Sequence, residues 1–200
     1  MILLAFLIGL VTGWGLNWLS DLWVRQRQVT SYISPQLTRT LSPLLTALIF
    51  AYLWWGERPF TLLIFSFLWL ITLIDLKYRL VPNTLTYPAL VTVLAYHLWQ
   101  QPLGLLPVLL GGGLAYAIFA LTAWLRPGDL GGGDVKLAAL FGFAFGFPHI
   151  LWALLLGIGL GGGTAVFLLL RHHHRQQQIP YAPFLCLGAF IALLYNPWPF

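Results

Sequence analysis

Long apolar stretches alternate with short polar segments along the whole chain. A helix needs about 20 apolar residues to cross a bilayer, somewhat fewer if it is short, and eight stretches reach or approach that length. Prolines stand near the starts of five of these stretches, where a missing backbone N–H is least costly: Pro59, Pro82, Pro102, Pro148 and Pro180. The pattern predicts an all-α fold, a polytopic membrane bundle of about eight transmembrane helices.

The composition excludes an ordinary soluble domain. Apolar residues make up 60% of the 200 residues and charged residues only 8%, whereas a soluble domain carries about 25% charge. Most of the outer surface must therefore face lipid. The single cysteine, Cys186, lies in an apolar run, which excludes an internal disulfide or a cysteine-based zinc site and predicts a small buried side chain.

The distribution of charge predicts the orientation in the membrane. The formal net charge is +5, but the basic residues are scattered between apolar stretches, which argues against nucleic-acid binding. An N-terminus on the outer side of the membrane puts nine of the ten Lys and Arg residues on the inner side, as the positive-inside rule requires. We therefore expect a multi-pass protein of the cytoplasmic (inner) membrane, one domain over residues 1–200 with a short cytosolic loop at about 20–40.

The same orientation collects four of the five acids at the cytosolic face, and two of these acids stand beside unusual turns. Asp75 ends an apolar stretch and is followed by Val81 and Pro82, where the chain is extended before the next helix begins. A carboxylate at the end of a span is costly to desolvate and is rarely without a role. The alternative interpretation is a helix-capping acid paired with Lys77 or Arg79.

The second acid, Asp134, follows a glycine triplet at 131–133 and opens another apolar stretch. The glycines allow a positive φ or the close approach of another backbone. Asp134 is expected at or near a helix N-terminus, where the helix dipole favours its ionised form. The alternative interpretation is an ordinary N-cap.

Two carboxylates on one membrane face suggest a specific chemistry. Brought together, Asp75 and Asp134 would share a proton, so that one activates a water molecule while the other donates to a carbonyl. This aspartic-protease chemistry requires no metal and no cofactor. A transporter or a proton- or cation-conducting protein that uses the same two acids is the alternative function, and a membrane subunit in which both acids only cap helices is the third.

The spacing around both acids resembles the type IV prepilin peptidase family, whose members are membrane aspartic proteases of the GxGD type. Asp75 followed after five residues by Val81-Pro82-Asn83 is similar to the family's D-x5-[IV]-P-[DN] motif, and the run 131–137 is similar to its G-x-G-D-x-K-L motif. Two further segments, 13–17 and 179–185, resemble the family's G-S-F-L-N and P-[FY]-[GA]-P-F-L motifs.

The resemblance implies that Asp75 and Asp134 are the catalytic pair of an endopeptidase. Its substrates would be prepilin or pseudopilin precursors with a hydrophobic N-terminal helix, cut after their short basic leader at the cytosolic membrane face, in type IV pilus assembly or protein secretion. Lipid and precursor are then the expected partners. The supporting or substrate-binding residues that the motifs and loops predict are Gly131, Gly133, Lys136, Asp129, Pro82, Asn83, Pro180 and Phe184.

One departure from the family pattern limits the predicted activity. Many bacterial members carry a large loop after the first span with two C-x-x-C pairs that bind zinc, and these members also methylate the new N-terminus. The corresponding segment here, about residues 20–40, is short and contains no cysteine. A zinc site in this segment is therefore excluded, and an N-methyltransferase activity is doubtful.

The basic leader of a substrate needs an acidic contact. Apart from the proposed catalytic pair, the acids predicted at the inner face are Asp129 and Asp21. We expect Asp129, and less strongly Asp21, to bind the leader by a half-exposed ion pair. The alternative for Asp129 is a solvated loop acid.

Overall fold

The computed structural model describes residues 2–25, 34–55, 59–100, 103–127, 130–171 and 180–195. The described residues are helical almost throughout and contain no strand, so the expected all-α class is confirmed. They form eight helices: α1 Ile2–Arg25, α2 Pro35–Trp55, α3 Pro59–Tyr78, α4 Asn83–Gln100, α5 Leu105–Leu125, α6 Gly132–Phe145, α7 His149–Arg171 and α8 Ala182–Leu194.

Three of the described helical segments are long and apolar enough to cross a membrane: Ile2–Leu22, Leu105–Leu125 and His149–Phe167. A further apolar helix, Ala182–Leu194, is shorter. These helices support the expected membrane protein. The number of spans and the orientation stay predictions.

Prolines mark several helix starts, as the sequence suggested. Pro59 is the first residue of α3, and Pro82 and Pro148 directly precede α4 and α7. These are positions where the missing backbone N–H has no intrahelical partner to lose. Pro102 lies outside the described residues.

Two compact units divide the chain at Leu80, Met1–Leu80 and Val81–Phe200. In the first unit α1 packs on α2, and α3 packs on both. A Cβ on Gly9 would lie 2.5 Å from the Cα of Ala47, and one on Gly13 would lie 2.7 Å from the Cα of Pro43. Later residues of α1 thus contact earlier residues of α2, so the two helices are antiparallel and closely spaced.

The second unit contains α4 to α8, in which α5 packs on α6 and α7 packs on α8. A Cβ on Gly111 would lie 2.5 Å from the carbonyl oxygen of Gly142, and one on Gly188 would lie 2.5 Å from the nitrogen of Gly157. Small residues therefore bring these backbones into contact. α6 also packs on α4, which places the first turns of both helices side by side. That the two units form one domain stays a prediction.

Candidate active site

Asp75 lies in the last turn of α3 and is buried, with 5% of its surface exposed. Its backbone carbonyl accepts a hydrogen bond from the N–H of Arg79, at 2.7 Å. Arg79 has a positive φ of 52°, the left-handed conformation that commonly ends a helix. The helix therefore stops one turn after Asp75, which leaves this acid at a helix end, as the sequence predicted.

Two residues further on, Lys77 is buried against α1 with 1% of its surface exposed. Its Nζ donates to Oδ1 of Asp21 at 2.7 Å and to Oγ of Ser20 at 2.9 Å, and it also donates to Oδ1 of Asn17. The ion pair of Lys77 is thus made with Asp21 on another helix. The backbone oxygen of Asn17 lies 3.5 Å from the same Nζ, so four oxygens surround the three N–H donors of the ammonium group.

The contacts of Asp21 bear on its expected role as a contact for a substrate leader. Its Oδ1 accepts from Lys77 and also from the hydroxyl of Tyr78, at 2.9 Å. The charge of Asp21 is therefore already compensated within the first unit. The other expected contact, Asp129, lies outside the described residues.

Asp134 lies in the first turn of α6, three residues after the N-cap residue Gly131. Its carboxylate accepts a hydrogen bond from the backbone N–H of Gly131, the reach of a third-position acid back to the cap. The side chain is nevertheless buried, with 9% of the residue exposed. Burial outweighs this hydrogen bond and raises the pKa of Asp134 to about 6, because a low-polarity environment disfavours the charged carboxylate. The expected helix N-terminus is confirmed, with Gly131 rather than Asp134 as the cap.

The glycine triplet provides close approach rather than a special backbone conformation. Among the described residues, the glycines with positive φ are Gly104 and Gly146, neither of which belongs to the triplet. A Cβ on Gly133 would lie 2.8 Å from the Cβ of Val81, whereas one on Gly132 would meet nothing within 4 Å. Gly133 is therefore the position where the chain leading into α4 presses against α6.

A second contact joins the same two motifs. Lys136 donates from Nζ to Oδ1 of Asn83 at 2.9 Å, and the ammonium lies 5.2 Å from the ring centroid of Tyr87, within the range of a cation–π interaction. Asn83 is the first residue of α4 and is exposed, while Pro82 before it is buried. The structure thus brings Val81, Pro82 and Asn83 against the start of α6, although the two segments are about fifty residues apart in the sequence.

The start of α8 contributes a residue that the sequence analysis did not select. Tyr181, the N-cap residue of α8, has its pKa raised to about 12, first by burial and then by the negative charge of Asp134. The Tyr181 ring packs against Gly161 of α7, where an added Cβ would lie 2.7 Å from Cε2 of the ring. Pro180 and Phe184 were selected instead, and both are half-buried. The carbonyl of Phe184 faces Gly157 of α7. The sequence feature that could have identified Tyr181 is its position between Pro180 and Pro183, immediately before an apolar helix.

The remaining donors do not form a metal centre in the part of the chain that the structure describes. No group of three or more His, Cys, Asp or Glu residues lies there in positions suited to a metal ion. Cys186 is buried in α8, as its apolar surroundings predicted.

A sequence model of the type IV leader peptidase family matches residues 62–166. The chain belongs to this family. The matched region contains both acids, Asp75 and Asp134, together with the residues of the α4–α6 contact. The resemblance found in the motifs is therefore confirmed.

Three curated members of the family are similar to this chain, and each is described as a prepilin leader peptidase/N-methyltransferase. The protein from Bacillus subtilis is 30% identical over 66% of this chain. The proteins from Xanthomonas campestris and Escherichia coli are each 28% identical, over 93% and 78% of this chain. The match spans about half, 53%, of the Bacillus protein, and 71% and 67% of the other two. No solved structure gives a significant match.

Proposed function

We propose that this protein is a membrane aspartic endopeptidase that removes the basic leader from type IV prepilin or pseudopilin precursors. Asp75 and Asp134 are its catalytic pair, at the cytosolic face of the inner membrane, in a bundle of eight spans with the N-terminus outside. The observation that carries the proposal is the family match over residues 62–166, since it covers both acids in their motifs. The burial of Asp134 supports it.

The two acids divide the chemistry of peptide hydrolysis between them. The ionised acid removes a proton from a water molecule, whose oxygen attacks the carbonyl carbon of the scissile bond. The protonated acid donates its proton to the carbonyl oxygen. As the tetrahedral intermediate collapses, the C–N bond breaks and the leaving nitrogen takes the proton that the first acid removed from water. One hydroxyl of the intermediate returns a proton to the second acid, which restores the pair. Burial raises the pKa of Asp134 above its ordinary value, so this acid holds a proton more readily than an exposed aspartate does.

The surface of the protein suits a precursor that is itself a hydrophobic helix. Many large apolar side chains on the described helices are exposed, for example Leu106, Leu155 and Trp124 at 68%, 63% and 75%. In a membrane these surfaces contact lipid or another apolar helix. The precursor helix can therefore approach laterally, while its polar leader stays at the membrane face.

Transport remains the competing function for two acids in a membrane protein. A transport site usually lies near the middle of the bilayer, at a broken helix. Asp75 lies in the last turn of α3 and Asp134 in the first turn of α6, so each is at a helix end. Membership of a leader peptidase family does not favour transport either.

Reconstitution in lipid vesicles tests the proposed activity. The purified protein should cut a synthetic precursor that carries a basic leader, a glycine before the cut and a hydrophobic helix. Chelators, serine reagents and thiol reagents should leave the rate unchanged, since the proposed site contains none of the groups that they attack. Mass spectrometry should find an unmethylated new N-terminus when S-adenosylmethionine is supplied.

Two outcomes of this experiment would contradict the proposal. One is the absence of cleavage with every precursor that presents a basic leader and a hydrophobic helix. The other is a rate that is lost in a chelator and restored by zinc, because that behaviour belongs to a metallopeptidase.

The pH dependence of the rate should reveal the buried acid. As the pH rises through the pKa of Asp134, about 6, the proton donor becomes ionised and the rate falls. In the proposed pair, sharing a proton with Asp75 would raise this value further. We therefore expect the alkaline limb of the profile of kcat/KM at pH 6 or above. A limb near pH 4, the ordinary range of an aspartate, would show that Asp134 does not hold the catalytic proton.

A further inference from the structure

Each proposed catalytic acid is followed two residues later by a lysine. The two segments are Asp75-Leu76-Lys77 at the end of α3 and Asp134-Val135-Lys136 at the start of α6. Two steps along an α-helix turn the side chain by about 200°. In each segment the lysine therefore points to nearly the opposite side of the helix from the acid.

Both lysines use this opposite side to contact a neighbouring helix through an asparagine. In the first unit Lys77 donates to Oδ1 of Asn17 on α1, with Ser20 and Asp21 as its further partners. In the second unit Lys136 donates to Oδ1 of Asn83 on α4. The arrangement is thus the same in two units that share no helix.

The two lysines differ in burial, and this difference determines which replacements each position can accept. Lys77 is 1% exposed, and its ammonium has four oxygen partners, two of them on Asn17. Lys136 is half-buried, and its contacts among the described residues are Oδ1 of Asn83 and the face of the Tyr87 ring. A larger cation therefore has room at position 136 and none at position 77.

We propose that Lys77 and Lys136 are equivalent positioning residues, each of which fixes the helix end that carries a catalytic acid to an adjacent helix. This inference rests on the proposed function, because it assigns the lysines a purpose in peptide hydrolysis. Neither lysine touches the reacting atoms. Each acts through the backbone of its own helix turn.

Helix ends need such an anchor because they are the least constrained part of a helix. The first and last turns lack intrahelical partners for several backbone groups and tend to fray. Both acids lie in those turns. A misplacement of about 1 Å at a catalytic group can cost roughly 100-fold in rate. A lysine on the far side of the same turn holds the acid in place without occupying the space that substrate and water need.

The experiment compares Lys77→Met, Lys136→Met, Asn17→Leu and Asn83→Leu with the wild-type protein in lipid vesicles. We expect kcat to fall at least tenfold in each lysine variant, while KM changes by less than twofold, because substrate contacts stay intact. In each unit, the kcat of the lysine–asparagine double variant should be no lower than that of the less active single variant. Arg126→Met is the matched control. It removes an exposed cation at the end of α5 and should leave kcat unchanged.

Conservative replacements distinguish positioning from a general loss of stability. Lys136→Arg should retain most of the wild-type kcat, since a guanidinium can reach Asn83 and stack on Tyr87. Lys77→Arg should not, because the buried site has no room for it. If Lys77→Met does not fold, Asn17→Leu still reports on the same anchor with the lysine present.

Each outcome decides between defined alternatives. A wild-type protein that cleaves no precursor removes the proposed function and this inference with it. An active wild-type protein whose lysine variants only melt at lower temperature, with kcat and KM unchanged, overturns the positioning role alone. A raised KM with an unchanged kcat also overturns it, because that result makes the lysines substrate contacts.

Discussion

Asp75→Asn and Asp134→Asn should each abolish precursor cleavage. An asparagine can neither remove a proton from water nor donate one as an acid does, and one remaining carboxyl group cannot perform both tasks in the same step. We expect a loss of about 1000-fold or more in kcat for each single variant. The double variant should be about equally inactive, since the members of a catalytic unit are not additive.

The measurement is the rate of leader removal, with membrane insertion followed in parallel. Both variants should insert as the wild-type protein does, because the apolar helices are unchanged. Glu57→Gln is a useful control, since Glu57 is the remaining one of the chain's five acids, which the predicted orientation puts on the opposite side of the membrane. This variant should retain full activity. A single variant that keeps more than a tenth of the wild-type rate would remove that aspartate from the catalytic pair.

Gly133→Ala should lower kcat by about 100-fold, whereas Gly132→Ala should be close to wild type. The new Cβ at position 133 would lie 2.8 Å from the Cβ of Val81, which is too close for two carbon atoms. The chain leading into α4 and the first turn of α6 must then move apart. Asp134 is the next residue, so this movement displaces its carboxyl group, and displacements of this size cost about 100-fold.

Gly132 offers an unusually close match for this comparison. It is adjacent in sequence, belongs to the same helix turn, and has open space where the Cβ would be placed. Replacing glycine by alanine in a helix is itself favourable by roughly 0.5–1 kcal/mol. Both variants should therefore fold, and thermal unfolding verifies this. Equal rates for the two variants would show that the contact between Gly133 and Val81 does not position Asp134.

Local features of the fold were accessible from the sequence because each depends on neighbouring residues. Long apolar runs determine helices in a membrane, where every backbone polar group must be satisfied within the segment. Prolines at 59, 82 and 148 marked helix starts correctly. The glycine triplet before Asp134 placed that acid at a helix N-terminus, and the spacing of two motifs placed the chain in its family.

The expectation for the glycine triplet was confirmed in one of its two alternatives, the close approach. The sequence allowed either a left-handed backbone or a close approach, and the two cannot be separated from the residue type alone. Gly131 has an ordinary φ of −72°, and the close approach occurs at Gly133. This difference depends on where another part of the chain passes.

By itself, the sequence determined the helical membrane class, the two acids at helix ends and the family to which they belong. Only the tertiary structure decided that Lys77 forms an ion pair with Asp21 and that Val81 packs on Gly133. It also decided that the charge of Asp134 contributes to the raised pKa of Tyr181. The physical reason is the apolar character of these helices. A helix that is apolar on all sides has no polar stripe to show which face meets a neighbour, so contacts between distant segments become known only once the helices are packed.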